Sequence, residues 1–86
     1  MNKHKISWSL TALDGLRKIT SKKLLIEITN SPKTVTFPEQ FQFDEYRTDC
    51  RRIIVGNFKL LYQHQNNTIY IVRVFNTSQN PLKSLR

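Results

Sequence analysis

Residues 50–76, CRRIIVGNFKLLYQHQNNTIYIVRVFN, decide the fold of this 86-residue chain. Runs rich in Ile, Val, Phe and Tyr, which suit a pleated and half-buried surface, alternate there with dipeptides that favour tight turns. Gly56-Asn57 and Asn66-Asn67 accept positive φ at little cost, as the loops of two-residue hairpins require. We therefore predict an antiparallel meander with strands at residues 51–55, 58–63 and 69–75.

Two-residue loops would also fix the register of the meander, because directly opposed residues share a face. The predicted pairs are Val55 with Phe58, Ile53 with Leu60, and Tyr62 with Ile71. The face expected to pack on the core carries Ile53, Val55, Phe58, Leu60, Tyr62, Ile69, Ile71 and Phe75, with Arg51 and Arg73 as exceptions. The other face is apolar in the middle and basic or amide-bearing around it, with Arg52, Ile54, Lys59, Leu61, Gln63, Tyr70, Val72, Val74 and Asn76. A bulge would move some of these residues to the opposite face.

The first half of the chain is predicted to add a short strand and two helices. Residues 4–8 alternate around Ile6 and Trp8, and residues 11–19 and 21–30 carry apolar side chains at helical spacing. Ser7 or Ser9 and the pair Thr20-Ser21 are candidate N-caps, although one bent helix over residues 10–29 is an alternative. The order β-α-α-β-β-β predicts an α+β, two-layer, single domain over residues 1–86, an antiparallel sheet with a short helical hairpin on one face.

Three local features lead to further expectations. Gly15 weakens its helix by about 1 kcal/mol relative to Ala, so we expect it to pack closely against the sheet. Asn30-Ser31-Pro32 should end the second helix, and residues 33–42 then form a connector. We expect the apolar side chains in and just after this connector, Val35, Phe37, Phe41 and Phe43, to hold it against the core. The acidic residues 44–49 should form a loop that pairs with Arg51 or Arg52, in exposed ion pairs worth under ~1 kcal/mol.

The composition narrows the class of protein. A hydrophobic content of 38% is that of an ordinary globular chain, and no apolar run approaches the roughly 20 residues that span a membrane. We therefore expect no membrane association and no signal peptide. A single Cys cannot form an internal disulfide, which fits a reducing cytoplasm. The net charge is +8, and no acidic residue follows Asp49, so the second half favours a polyanion or an acidic protein partner.

Motifs of the common enzyme classes are absent. There is no P-loop, no dinucleotide-binding glycine pattern, no zinc-ligand spacing and no HExxH, so we expect no metal and no cofactor. Cys50 has no His at an activating spacing and is better explained as a small buried residue than as a catalytic thiol. His64, beside a turn, is better explained as a solvated strand end than as a general base.

A cationic and amide cluster remains, formed by Arg52, Lys59 and Asn76 with Gln79 after it. Guanidinium groups bind phosphate bidentately and can stabilise charge that develops on phosphorus. Tyr70 on the same predicted face could stack a base of RNA. The alternative is that these long cations only shield a half-exposed sheet face.

Residues 50–81, CRRIIVGNFKLLYQHQNNTIYIVRVFNTSQNP, resemble the C-terminal half of the RelE/ParE superfamily of toxins from bacterial type II toxin–antitoxin systems. In that family a strand with the pattern R-x-x-x-x-x-[YF]-[RK]-[ILV]-[ILV]-Y leads into a strand that ends in a [VI]-[FIY]-H-x-R-Q-like segment. These stretches are residues 52–62 and 74–79 here. The strand that ends at Trp8-Ser9, the helix opened by Ala12, Leu13 and Leu16, and Asn30-Ser31-Pro32 are also similar to the family.

The resemblance implies the β-α-α-β-β-β fold and a cognate acidic antitoxin that holds the toxin inactive. It also implies one of two activities. RelE-like members cut messenger RNA in the ribosomal A site without a metal, by attack of a ribose 2′-OH on the adjacent phosphate, whereas ParE-like members inhibit DNA gyrase. A non-catalytic basic binding module, either a degenerate toxin or a nucleic-acid-binding domain, is the alternative.

The resemblance also suggests site residues. The catalytic candidates are Arg52, Lys59 and Asn76, and the candidates for binding nucleic acid or another target are Arg51, Arg73, Tyr70, Gln79 and Lys83. Asn76 stands where many relatives have His, and Ser78 where many have Arg. Asn cannot serve as a general acid or base and Ser carries no positive charge, so these two departures weigh against RNA cleavage. Arg73 falls on the core-facing side of the predicted register, so a structural role is the alternative for it.

Overall fold

The computed structural model describes residues 4–78, and within that range the elements follow the predicted order. The strands are β1 (Lys5–Trp8), β2 (Arg51–Val55), β3 (Phe58–Gln65) and β4 (Thr68–Asn76). The helices are α1 (Leu10–Arg17) and α2 (Lys22–Asn30), and 3-10 turns follow at Ser31–Thr34 and Pro38–Gln40. The α+β class is therefore confirmed. None of the described helices is long and apolar enough to cross a membrane.

Two serine caps make the helical region two helices and not one bent helix. Ser9 Oγ accepts from the N–H of Ala12 at 3.0 Å, and Ser21 Oγ accepts from the N–H of Leu24 at 3.2 Å. Ser9 Oγ also donates to the carbonyl of Val72 at 2.7 Å, which attaches the start of α1 to β4. The second cap starts a new helix after a break at residues 18–21, as predicted.

The sheet order is β1-β4-β3-β2, and β1 runs parallel to β4. The sheet is thus mixed, whereas the sequence had suggested antiparallel pairing throughout. A hairpin loop dictates an antiparallel neighbour, but β1 is joined to the meander only through the helices and the connector, so no turn signal fixes its direction. Ile6 lies opposite Ile69, and Trp8 lies opposite Ile71.

Both turns of the meander adopt the expected conformations. Asn66 and Asn67 have φ values of 52° and 60°, as a type I′ turn requires, and Gly56 has a φ of 58° at the first turn position, as in type II′. The predicted register is confirmed at all its stated pairs, which are Val55 with Phe58, Ile53 with Leu60, and Tyr62 with Ile71.

A β-bulge at Val72 changes which side chains share a face in the second half of β4. Tyr62 pairs with Ile71 but Leu61 pairs with Arg73, so Val72 is an extra residue on β4. Beyond it, the facing predicted for four residues is wrong because the side-chain period is two. Val74 and Asn76 lie on the helix side, opposite Leu60 and Phe58, while Arg73 and Phe75 lie on the other side, opposite Leu61 and Lys59.

The main core lies between the helices and one face of the sheet. Its buried residues are Ala12, Ile19, Ile28, Val35, Ile53, Leu60, Tyr62, Ile69, Ile71 and Val74. Gly15 packs so closely on β4 that a Cβ there would overlap the carbonyl oxygen of Val74, which confirms the expected contact. Val35 and Phe41 contact this core, but Phe37 and Phe43 are more than half exposed, so their predicted role as anchors is wrong.

Candidate functional site

The sheet surface opposite the helices is the candidate site, and we call it the open face. It is formed by Arg52, Ile54, Lys59, Leu61, Gln63, Tyr70, Arg73 and Phe75. A small second cluster of buried Cys50, Leu61 and Phe75, with Val72 against it, gives this face an apolar centre. Most of the basic residues predicted for the site therefore lie around an apolar patch.

Residues 42–50 fold along the outer edge of β2 and reach over the open face. The N–H of Arg52 donates to the carbonyl of Gln42 at 3.0 Å, and the N–H of Asp44 donates to the carbonyl of Cys50 at 2.8 Å. Phe43 forms an isolated antiparallel bridge with Arg51. These contacts extend the sheet edge by a short piece of chain and carry Asp44 inward, where it is only 1% exposed.

The carboxylate of Asp44 is held by several donors. Its Oδ1 lies 2.6 Å from Nζ of Lys59, and its Oδ2 accepts from the N–H groups of Tyr46 at 3.1 Å and Arg47 at 2.8 Å. A guanidinium nitrogen of Arg52 lies 4.0 Å from Oδ1. The loop thus pairs with Arg52, as predicted, but only at 4.0 Å and to a buried carboxylate. The short ion pair of this carboxylate, at 2.6 Å, is with Lys59, which was not predicted.

Lys59 itself is enclosed. It is 8% exposed, and its ammonium lies 5.6 Å from the ring centroid of Tyr46 and 5.7 Å from that of Phe75. Aromatic faces attract cations at this range. Cys50 is fully buried nearby, and burial raises the pKa of its thiol, which agrees with a structural role for it. Lys59 therefore has its counter-ion and its packing within the chain.

The surroundings of Asp44 also set its titration. Burial alone would raise the pKa of this carboxyl, but the hydrogen bond from Lys59, those from the N–H groups of Arg47 and Tyr46, and the charge of Lys59 outweigh burial and hold the pKa below its usual value. The carboxylate stays ionised at neutral pH and has little tendency to accept a proton.

This lowered pKa predicts an acid-sensitive contribution to stability. A carboxyl with a lowered folded-state pKa contributes stability that is fully present above its unfolded-state pKa of about 3.9 and is lost as the pH falls through the folded-state value. We expect the free energy of unfolding to fall more steeply below about pH 4 in the wild type than in Asp44→Asn. Urea unfolding at a series of pH values measures both slopes, and equal slopes would mean that Asp44 is not a major titrating group of the folded state.

The other predicted residues are divided between the two faces. Arg52 and Tyr70 lie on the open face, as predicted, and Arg73 joins them because of the bulge, with its guanidinium 5.8 Å from the Phe75 ring centroid. Arg51 faces the helix side, donates to the carbonyl of Phe41 at 2.8 Å and stacks on Phe43 at 4.0 Å. Its contacts are those of a residue that fixes the connector.

Asn76 is separated from Arg52 and Lys59. It lies on the helix side opposite Phe58, and its Oδ1 accepts from the N–H of Ser78 at 2.9 Å and from Oγ of Ser78 at 2.7 Å. The predicted cluster of Arg52, Lys59 and Asn76 therefore does not share one surface. Gln79 and Lys83 lie outside the described residues, so their predicted roles stay predictions.

Asp44 is the site residue that the sequence interpretation missed. The signal that points to it is Lys59 itself, the second residue of an apolar run, FKLLY, in a central strand. A Lys in such a position needs a counter-ion, because a buried ammonium without one is strongly unfavourable. Choosing Asp44 among the acidic residues of the loop requires the loop geometry.

Comparison with solved structures shows which fold this chain shares with known proteins. The solved structures that resemble this chain include the RelBE2 toxin–antitoxin complex from Mycobacterium tuberculosis, with a TM-score of 0.73, 19% identity, and 92% of this chain and 97% of that chain covered. They also include the isolated Escherichia coli RelE toxin (TM-score 0.62, 16% identity, 96% and 94% covered) and the E. coli RelBE complex (TM-score 0.55, 23% identity, 86% and 96% covered). These likenesses show a shared fold. A search of curated proteins found no significant match.

The sequence itself supplies the family. The family model for the ParE toxin of type II toxin–antitoxin systems, parDE, matches residues 6–81. That range includes both helices and nearly all of the four strands described above, together with the loop that carries Asp44. The chain therefore belongs to the ParE toxin family of type II toxin–antitoxin systems.

Proposed function

We propose that this chain is a toxin that acts in the bacterial cytoplasm by binding a protein, with DNA gyrase as the target, and that it does not cut messenger RNA. The observation that carries the proposal is the buried ion pair between Lys59 and Asp44, at 2.6 Å. Inhibition of gyrase is the activity that the resemblance to ParE-like toxins implies, and the family match of this chain is to ParE toxins.

Cleavage of RNA by its own 2′-OH makes demands that the open face does not meet. The reaction needs a base to take the hydroxyl proton, an acid for the leaving oxygen, and a cation beside the phosphorane. Lys59 is bound to Asp44, and Arg52 cannot act as a base because its guanidinium is always protonated. The lowered pKa of Asp44 makes it a poor proton acceptor.

The two residues that depart from the family pattern, Asn76 with its amide and Ser78 with its hydroxyl, also argue against RNA cleavage. Asn76, at the position where many relatives have His, lies on the helix side and bonds to Ser78. His64 is on the helix side too, opposite the buried Ile69. The ring of His4 lies against that of His64, with 5.1 Å between the ring centroids, so neither histidine within residues 4–78 is available to the open face for proton transfer.

The exposed side chains of the open face suit the binding of a partner protein. Ile54 is 54% exposed and Tyr70 is 38% exposed, and both lie on the same side of the sheet as Arg52. Tyr and Arg are enriched at the energetic centres of protein interfaces, and exposed apolar side chains beside them add buried area on binding. We also propose a cognate acidic antitoxin, because the net charge of +8 leaves the surface strongly cationic.

Expression in a bacterial host tests the proposal. We expect growth arrest with intact messages, rescue by co-expression of the neighbouring gene, and inhibition of supercoiling when the purified chain is added to purified gyrase. Message integrity is followed by primer extension from the moment of induction. Messages that are cut when growth stops would contradict the proposal in favour of a RelE-like ribonuclease, and unimpaired growth would favour a non-toxic binding module.

A matched pair of variants locates the active surface. Arg52→Gln and Lys22→Gln each remove one positive charge, but Arg52 lies on the open face and Lys22 is an exposed residue of α2 in the other layer. We expect Arg52→Gln to weaken gyrase inhibition about tenfold or more, as for a residue near the centre of an interface, and Lys22→Gln to change it little. Equal effects would mean that net charge, and not the open face, governs the interaction.

A further inference from the structure

We propose that Asp44 determines the class of target that the open face accepts: by holding Lys59 within the chain, it keeps nucleic acid off this face and leaves the face to protein partners. The inference rests on the proposed function and deepens it. Nothing in the family match or in the resemblance assigns a role to Asp44.

The groups around Asp44 form an anion site that the chain fills by itself. The ammonium of Lys59 and the N–H groups of Tyr46 and Arg47 all donate to the carboxylate, and a nitrogen of Arg52 lies 4.0 Å away. Successive backbone N–H groups with a Lys beside them are the arrangement that binds phosphate oxygens in many proteins. The Asp44 carboxylate occupies the position that an anionic ligand would take.

An external phosphate cannot readily replace this carboxylate. Asp44 belongs to a loop that is bonded to β2 through Gln42, its own N–H donates to the carbonyl of Cys50, and its carboxylate has essentially no exposed surface. If Lys59 turned toward a phosphodiester, a buried carboxylate would lose its counter-ion, which is strongly unfavourable. The exchange would also move the ammonium of Lys59 away from the rings of Tyr46 and Phe75.

The consequence is a loss of cationic strength on the open face. Nucleic-acid binding depends on the number of phosphates that cations neutralise, and each contact to a single strand contributes roughly 0.7 to the slope of log K against log salt. On the open face Lys59 contributes nothing to this slope while Asp44 binds it. Arg52 is partly engaged as well, through its hydrogen bond to Oε1 of Gln42 at 3.3 Å.

The test compares two variants with the same change in net charge. Asp44→Asn and Glu45→Gln each remove one negative charge, which raises the net charge of +8 by one, but Glu45 is an exposed neighbour of the buried Asp44. Binding of a short single-stranded RNA is measured over a range of salt. We expect Asp44→Asn to bind about tenfold tighter at low salt with a slope steeper by roughly 0.7, and Glu45→Gln to show a much smaller change.

Two further variants and one NMR measurement identify the responsible group and guard against misfolding. The gain in affinity should disappear in Asp44→Asn/Lys59→Gln, because the freed ammonium is what binds the phosphate. Asp44→Ser, whose hydroxyl can still accept from a backbone N–H in its turn, is the second variant if Asp44→Asn does not fold. In the wild type, NMR of the lysine side chains should show RNA shifting the signals of exposed lysines and leaving that of Lys59 Nζ unchanged.

The outcomes decide the inference separately from the proposed function. Equal RNA affinities for Asp44→Asn and Glu45→Gln, or an RNA-induced shift of Lys59 Nζ in the wild type, would overturn it, even if the wild type inhibits gyrase. A selective gain in Asp44→Asn would support it. Cut messages in the expression experiment would overturn the proposed function instead, whatever the RNA-binding results.

Discussion

Replacing Asp44 by Ala is expected to lower the free energy of unfolding by about 3–5 kcal/mol, because it leaves the ammonium of Lys59 buried without its counter-ion. The N–H groups of Tyr46 and Arg47 also lose their acceptor. Urea unfolding at neutral pH, followed by the fluorescence of Trp8, measures the change.

Two controls separate the ion pair from its surroundings. Glu45→Ala removes an exposed carboxylate next to the buried one and should change the stability by no more than about 0.5 kcal/mol. Asp44→Asn/Lys59→Met removes both charges and should be much closer to the wild type than Asp44→Ala, since replacing a buried pair is often nearly neutral. A loss under about 1 kcal/mol in Asp44→Ala would show that solvent screens the pair.

This ion pair also explains how the loop is placed. Asp44 and Lys59 are 15 residues apart, and their bond joins the loop of residues 42–50 to the middle of the sheet through β3. The loop is also bonded to the outer edge of β2, where Gln42 accepts from the N–H of Arg52, and to β3, where Gln63 donates to the carboxylate of Asp49 at 3.0 Å. Without the pair, the loop would keep its hydrogen bonds to β2. It would lose the shortest ion pair that joins it to the open face within residues 4–78. Stability and target class therefore depend on the same carboxylate.

Local signals in the sequence were sufficient for most of the architecture. The turns at Gly56 and Asn66-Asn67 need residues that tolerate positive φ, and such residues stand between apolar runs, so the hairpins and their register follow from the sequence. Ser9 and Ser21 cap the helices at the positions where the apolar spacing begins. Each of these features depends on residues that are close together in the chain.

The bulge at Val72 has no comparable signal. Residues 71–75, IVRVF, carry no Gly or Pro and all suit a strand, so the alternation pattern continues through the extra residue without interruption. One unpaired residue was enough to exchange Arg73 and Asn76 between the faces. The sheet face was therefore predicted correctly for Arg52, Lys59 and Tyr70, which lie before the extra residue or on other strands, and incorrectly for the residues of β4 that follow it.

A second large effect is expected at Gly15, where Ala should lower the free energy of unfolding by about 2 kcal/mol. Helix propensity alone predicts the opposite sign, since Ala is favoured over Gly by about 1 kcal/mol in a helix. The steric term should dominate because the atom that a Cβ would overlap is the carbonyl oxygen of Val74. That oxygen belongs to the backbone of a central strand and cannot move aside like the end of a side chain. Thermal and urea unfolding of the variant measure the net effect.

Arg17→Ala is the matched control, because it places the same residue type on the same helix at an exposed position and should change the stability by no more than about 0.5 kcal/mol. A more stable Gly15→Ala would mean that α1 can move away from β4 without loss. We expect that movement to be resisted, since Ser9 Oγ holds the start of α1 to the carbonyl of Val72, the bulged residue itself. The helix α1 thus contacts β4 at Val72 and at Val74, on either side of Arg73 in the sequence. A helix forced outward at Gly15 should therefore also disturb the position of Arg73 on the open face.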